Sequence, residues 1–362
     1  ARTSLLGLAL AEELDDITLF TIPVSPLADE DAHEKMKSME LRIASRCLGL
    51  VEVHRVEEIK TDMLSPSLDS DCYPNTIEDK VGNPFVSFIH RTVFEFVSEP
   101  EYSAKLEAAA ARGSARRFIA ECALLRLLVL RIKTFSHDDL NSNIPPGSLI
   151  PPGLESLIYY ALRTCRRAEI VSCKAQTRLM TELDKSMTHL YENVYNCSGM
   201  GHWHNGLRFQ GDVGESELLE ASRLVWKRND LLSLAVRHGL VLFVKESPSM
   251  AESAKSKPGR PLLDYALRPG CKVLGSEQQM ILDRSSAIVE VLLSNGASPG
   301  QTFSGKSLFK HFIDDLGKDQ LSRYKATVET PKTVVVLLQH MSPSDVETQD
   351  LEVLHRLLIQ MI

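Results

Sequence analysis

No run of about 18–20 uninterrupted apolar residues, the length a membrane-spanning helix needs, occurs anywhere in the 362 residues. The most apolar stretch, Cys122 to Ile132, is broken by Arg126 and Arg131 and reads as a buried or amphipathic helix. A secretory leader is also missing. Ala1-Arg2-Thr3-Ser4 runs straight into helix-like sequence, without a basic start, an apolar stretch and a small-residue cleavage site. With no initiating methionine either, the expectation is a segment of a longer protein whose beginning lies upstream. There is no CxxC pair. Seven cysteines, at positions 47, 72, 122, 165, 173, 197 and 271, are odd in number and scattered, and Cys47, Cys122 and Cys165 sit among apolar helix-like residues. That is the usage of a reducing compartment, where thiols serve as small core hydrophobes, so a cytoplasmic location is expected. Basic excess is lacking too. Lys and Arg number 41 against 48 Asp and Glu, a net charge of −7. Such a chain gains nothing overall from neutralising phosphate, which argues against a general binder of nucleic acid or anionic membrane.

What is present is an ordinary globular composition, 43% hydrophobic and 25% charged, in a chain long enough for two or three domains. Three segments emerge: 1–112, 113–250 and 257–362. In the first, apolar positions from Leu5 to Leu14 have helical spacing, and Ile22-Pro23-Val24-Ser25-Pro26-Leu27 must be extended because of its prolines. A helix starting near Asp29 or Asp31 carries Met36, Met39, Ile43 and Cys47 on one face and ends at Gly49. Leu50 to His54 alternates as a strand does, and a polar stretch from about Glu57 to Asn83 separates it from a second strand, Phe85 to Ile89. A helix, Arg91 to Val97, follows directly. Helix, strand, long tip, strand, helix is the plan of a winged helix.

The second segment reads as almost wholly helical. Phe118, Cys122, Leu125, Leu128 and Ile132 mark one apolar face, and Leu154, Leu157, Ile158, Ala161 and Leu162 another, joined by the proline-rich Asn141 to Gly153. Helices around Leu179 to Leu190, Leu218 to Trp226 and Leu231 to Val244 follow, interrupted by a glycine-rich loop. After the polar linker Ser247 to Lys257, the third segment alternates short helix, apolar helix, Gly-Ala turn and restart about 35–45 residues on, the mark of stacked helical repeats. The expected fold is therefore mainly α: a winged-helix-like N-terminal domain with a small β-hairpin, a helical middle, and C-terminal helical repeats.

Two family resemblances rest on these stretches. Pro261-Leu262-Leu263-Asp264-Tyr265-Ala266 resembles the ankyrin TPLHxA box with Asp in place of His. Ile288 to Pro299 resembles the ankyrin outer helix ending in GADPN, although an insertion around Arg268 to Arg284 stretches the spacing between the two. The first segment resembles the winged helix that follows the NACHT NTPase domain in fungal STAND proteins, through Arg42 to Val53 and through Val86-Ser87-Phe88-Ile89-His90-Arg91-Thr92-Val93-Phe94-Glu95-Phe96-Val97. Gly239-Leu240 with Val241 to Lys245, ahead of Gly259 to Ala266, is similar to the tail of those proteins. The resemblance implies a modular signalling protein in which an upstream NTPase domain of the same chain, and other proteins, are the partners. It implies a non-catalytic regulatory and interaction region, with an ankyrin-like surface that binds a partner or holds the switch closed.

Several motifs compete with that reading. Gly300-Gln301-Thr302-Phe303-Ser304-Gly305-Lys306-Ser307 matches G-x-x-x-x-G-K-[ST] in full. In a true P-loop, Gly300 and Gly305 let amides cradle phosphate, Lys306 would reach the β and γ phosphates, and Ser307 would hold magnesium. That chemistry needs a buried strand running into Gly300. Here Leu293 and Ser294 to Pro299 end a helix, so the match is taken as an accident of a repeat loop and no cofactor is expected. His202-Trp203-His204, near Cys197, suggests metal, but paired ligand spacing is lacking, with only His189 and Asp212 as extras. His90 is assigned to the start of its helix, with Phe88, Ile89, Val93, Phe96 and Val97 as core. Arg163, Arg166, Arg167, Lys174 and Arg178 form a basic patch that reads as a solvated face. A DNA-reading helix near Asp31 to Cys47 would be more basic than this one. No Ser-His-Asp, Cys-His, paired-carboxylate or GxGxxG arrangement stands out, so no enzyme is expected.

Overall fold

Asp29, Glu30 and Asp31 put three carboxylates at the positive end of a helix dipole, and Arg46 puts a cation at the negative end. The helix Asp29–Arg46 forms between them. It belongs to a mainly helical protein. The computed structural model describes residues 3–13, 18–47, 49–55, 84–113, 119–135, 150–194, 202–207, 230–269, 271–274, 278–281, 284–319, 329–341 and 352. By internal contacts the chain divides into two units, Ala1–Pro146 with Ile150–Thr164, and Gly147–Leu149 with Cys165–Ile362. Among the described residues, no helix is long and apolar enough to cross a membrane.

The first unit runs β1 (Thr3–Ser4), α1 (Leu5–Glu13), α2 (Thr18–Thr21), α3 (Asp29–Arg46), β2 (Val51–His54), β3 (Phe85–Phe88), α4 (Arg91–Ser98), α5 (Pro100–Gly113) and α6 (Ala120–Lys133). The order α3, β2, β3, α4 is the one read from the sequence; the tip from 57 to 83 lies outside the described residues. β3 is central and antiparallel to both neighbours, with Thr3 opposite Val86 and Val51 opposite Phe88. The stripe Met36, Met39, Ile43 and Cys47 meets Leu5, Leu8, Val51, Val53 and Val86 in one core. α1 contacts both α3 and α6, which is why Leu5, Leu6, Ala9 and Leu10 are all buried. α6 is buried nearly all round, through Leu125, Leu127, Leu128, Val129, Leu130 and Ile132. At its end the ammonium of Lys133 donates to the Leu19 carbonyl at 2.9 Å, and its own carbonyl accepts from Ser25 at 3.0 Å in the extended Ile22 to Leu27 stretch.

One expectation here is corrected. Phe88, Ile89 and Phe96 are not core: they are 36%, 50% and 49% exposed, and α4 has no fully buried residue. The helix follows the central strand and, among the described residues, packs chiefly on β3 and α5. His90 does serve the helix start, its Nδ1 accepting from the Thr92 amide at 3.2 Å.

The boundary between the units falls within α7 (Pro152–Ser172). The second unit continues with α8 (Thr177–His189), a π-helical turn Leu190–Val194 and a short 3-10 turn Trp203–Gly206. The helix expected at Leu218 to Trp226, like Cys197 and most of the glycine-rich loop, lies outside the described residues. The single helix expected from Leu231 to Val244 is instead two, α9 (Leu231–Arg237) and α10 (Val241–Glu246). Gly239, at φ +71°, turns the chain between them.

Then come α11 (Met250–Ser256), α12 (Leu262–Leu267), the hairpin β4–β5 (Cys271–Leu274 with Gln278–Ile281), α13 (Ser286–Ser294), the hairpin β6–β7 (Thr302–Phe303 with Lys306–Ser307), α14 (Leu308–Asp319) and α15 (Glu329–Gln339). The stretch from Arg268 to Arg284 holds the β4–β5 hairpin. Packing sorts the helices into two rows. α12 touches α9 on one side and α14 on the other, and α13 likewise lies against α10 and α15. Gly296, at φ +93°, ends α13 beneath Lys255, whose Cε would lie 2.7 Å from any Cβ placed there.

Glu329 couples two helix starts. Its Oε2 accepts from the Ser286 amide at 3.1 Å and the Ser286 hydroxyl at 2.7 Å, and Lys332 donates to its Oε1 at 3.0 Å. These bonds, the Ser286 hydroxyl foremost and then Lys332, pull its carboxyl from 4.5 down to about 2. A carboxylate with a depressed native pKa stabilises above its unfolded value and loses that contribution as pH falls. Stability should therefore drop as pH falls from 4.5 toward 2, and Glu329→Gln should flatten that part of the profile. Urea midpoints at about pH 5 and about pH 3 test this; equal acid sensitivity in the variant would rule out the coupling.

Candidate functional site

Pro261 is extended, at φ −61° and ψ 147°, and α12 begins directly after it, so Arg260, Asp264 and Arg268 follow one another at helical i, i+4 spacing. Their side chains converge. Asp264, with no exposed surface, accepts from Arg260 Nε at 2.5 Å and from two nitrogens of Arg268, each at 2.8 Å. Burial opposes ionisation of this carboxyl, but the two guanidinium groups outweigh burial and hold it below the ordinary carboxylate range. The neighbouring ring, Tyr265, is flanked by cations: the Arg260 guanidinium lies 4.3 Å from its centroid and that of Arg237, from α9, 5.1 Å. Lys257 and His238 are buried as well, and both act electrostatically on His204. The face of α9 and α12 thus sets Arg237 and Arg260 on either side of one tyrosine.

The turn at 202–207 lies on that face. His204 is 2% exposed, and its ring centroid is 6.4 Å from that of Tyr265. Burial first, and then the charges of Arg237, His202, His238 and Lys257, hold the imidazole well below its ordinary pKa, so it is neutral. The turn is pinned from α8. Asp184 Oδ1 accepts from His202 Nε2 at 2.9 Å and from Trp203 Nε1 at 2.8 Å. His202 Nδ1 accepts from the His204 amide at 3.2 Å, which fixes the ring proton on Nε2. Trp203 itself is 1% exposed.

The P-loop-like residues sit elsewhere. Gly300 follows the turn that ends α13, and no strand runs into it: Gly296 and Ala297 close back on Leu293 and Leu292. Ser304 and Gly305, at φ +49° and +81°, are the two turn residues of the β6–β7 hairpin, the mirror-image turn that suits strand twist. Just past the motif the amides tie back onto it, Leu308 donating to Gln301, Phe309 to Pro299 and Lys310 to the Ser307 hydroxyl. The Lys306 ammonium is bound to Asp314 at 2.6 Å.

As for metal, both ring nitrogens of His202 are engaged, and His189 pairs with Asn193 at 3.2 Å. No cluster of three or more His, Cys, Asp or Glu suited to a metal ion occurs among the described residues. Asp212 lies outside them. In the basic patch Arg163, Arg167, Lys174 and Arg178 are exposed, while Arg166 packs against Gly239. The first unit holds a cavity of about 290 Å³ lined mainly by apolar residues such as Leu10, Ile22, Leu27 and Leu130, with Asp31 and Lys35 among its polar edges. That is the lower end of ligand-pocket size.

The sequence reading passed over Asp184, Arg237 and Arg260. Its one signal was Asp264 standing where the ankyrin box has histidine. Residues 1–142 match a family described as a domain of unknown function (DUF7791). No curated protein matches the chain. No solved structure matches it either.

Proposed function

We propose that the chain is a non-catalytic protein-interaction and regulatory region, of the kind that follows the NTPase switch in fungal NACHT-type STAND signalling proteins. In this reading residues 230–339 are an ankyrin-like array of three helix pairs, and residues 1–112 are winged-helix-like. The carrying observation is the two-row packing, α9, α12 and α14 in one row and α10, α13 and α15 in the other, with the β6–β7 hairpin projecting between the second and third pairs. Stacked pairs bury their apolar faces against one another and leave a continuous surface, which suits contact with another protein better than chemistry. On this reading the array begins near Asp230, whose carboxylate caps α9 by accepting from Ser233 at 2.8 Å. The G-x-x-x-x-G-K-S match is then the hairpin between two pairs.

Two measurements test this. Calorimetry with magnesium-ATP should show no binding to the full chain and no change in Lys306→Ala. Magnesium-dependent micromolar binding abolished by that substitution would turn the choice to a nucleotide enzyme. Separately, a photo-cross-linking residue placed at Thr302, exposed on the β6–β7 hairpin, should yield discrete protein adducts in the source cell. Adducts no more abundant there than at exposed Ile170 would leave the array without an interaction role.

A further inference from the structure

We propose that the cavity of the first unit is a binding site for a small amine, its apolar body among Leu10, Ile22, Leu27 and Leu130 and its ammonium group on the Asp31 carboxylate. The site is independent of the helical array, since every lining residue belongs to the first unit and to the stretch that matches the family of unknown function. Three observations carry this. First, the space follows from chain geometry. Pro23 and Pro26 keep Ile22 to Leu27 extended, and the Ser25 amide, donating to the Lys133 carbonyl at 3.0 Å, ties the stretch to the end of α6. Pro26 brings no amide to the wall and Ala28 only a methyl group. About 290 Å³ is left unfilled beside them, many times the room one water needs.

Second, the lining is divided. Leu10 and Leu130, 4% and 2% exposed, form an apolar floor, whereas Ser25, Pro26, Ala28 and Asp31 are exposed and form a rim. An apolar floor holds a ligand's body, and a few polar groups at the rim orient its head. Third, the rim carries an anion without a protein counterion. Among the described residues the Asp31 carboxylate makes no ion pair or hydrogen bond, while Lys35, four residues on along α3, has contacts of its own. Asp29 and Glu30 stand beside Asp31 in the same first turn. An anionic ligand would therefore meet like charge, and a neutral one would leave the carboxylate unmatched. An ammonium group donates to it in a charge-assisted hydrogen bond. A molecule seated there touches α1, α3, α6 and the extended stretch together, and stabilises their packing according to its occupancy.

The full chain is titrated by calorimetry near neutral pH with phenethylamine at millimolar concentration. Phenethyl alcohol and phenylacetate serve as the neutral and anionic counterparts of similar shape. The amine should bind saturably, the alcohol about fivefold more weakly, as befits one partly exposed ion pair, and phenylacetate not at all. Asp31→Asn should weaken the amine by about the same factor and leave the alcohol unchanged. Ala28→Leu, at an exposed position where folding is not at stake, should fill the cavity and abolish binding of both. Leu130→Phe should do so from the floor, with circular dichroism checking that its helices remain. If the amine fails to bind, or binds the two cavity-filling variants as it binds wild type, the inference is overturned. If the alcohol or phenylacetate binds as tightly as the amine, or Asp31→Asn changes nothing, the assignment of an amine is overturned.

Discussion

Replacing Asp264 with asparagine should destabilise the second unit by about 3–5 kcal/mol, the cost of removing one member of a buried ionic group. The carboxylate has no exposed surface and takes three hydrogen bonds from Arg260 and Arg268. An amide at that place offers one acceptor oxygen and turns an NH2 toward guanidinium donors. Arg260, only 6% exposed, then loses the anion to which its Nε donates. Buried ion groups are costly to assemble, so their stabilising value is small next to the penalty for breaking them. The combined Arg260→Met, Asp264→Leu, Arg268→Met protein should accordingly lose less than Asp264→Asn alone. Guanidinium unfolding of both variants, with the slope monitored, separates these cases. A loss under about 1 kcal/mol for Asp264→Asn would mean that the triad contributes only as surface ion pairs do.

Leu292→Ala is expected to cost about 2–5 kcal/mol through the cavity it leaves. Leu292 is fully buried on α13, the central helix of its row, which packs on α10, α12 and α15. In a stack, stability is a sum of module and neighbour terms, so a defect in the middle also weakens coupling to the last pair. A shallower unfolding transition, or a separate early one from α14 and α15, should accompany the loss. Val335→Ala on α15, where the side chain is 52% exposed, should change stability by less than about 0.5 kcal/mol. Comparable losses at both positions would show that the rows are assigned to the wrong faces.

Helices with a strong apolar stripe and long reach were legible without coordinates. Met36, Met39, Ile43 and Cys47 mark the core side of α3 because every third or fourth residue returns to the same face. The extended Ile22 to Leu27 stretch was equally plain, since proline removes donors. Amphipathic spacing misled at β3 and α4, where Phe88 and Phe96 have core chemistry but stay exposed; periodicity reports which side is apolar, not whether anything covers it. It also merged α9 with α10: Val236 and Leu240 are buried on the two sides of the turn, and the Arg237-His238-Gly239 break between them is only three residues long. The clasp at Asp184 was hidden for another reason. Its partners lie 18 and 19 residues away in a glycine-rich stretch without any period, so no local rule links them. The G-x-x-x-x-G-K-S segment shows the converse: a full motif match is cancelled once Ser304 and Gly305 are known to be the corner of a hairpin.

Glu169 near the end of α7 accepts from the amides of Leu242 and Phe243 at 3.0 and 2.7 Å, across 73 and 74 positions of chain. Burial drives its carboxyl toward protonation, and those two amides oppose the drive. During synthesis at about 5–20 residues per second, the amides emerge roughly 4–15 s after the glutamate does. For that interval the end of α7 holds a carboxylate with nothing to solvate it but water. The nascent helix is therefore obliged to keep this flank wet until α10 leaves the ribosome, and final docking becomes a late, vectorially timed event.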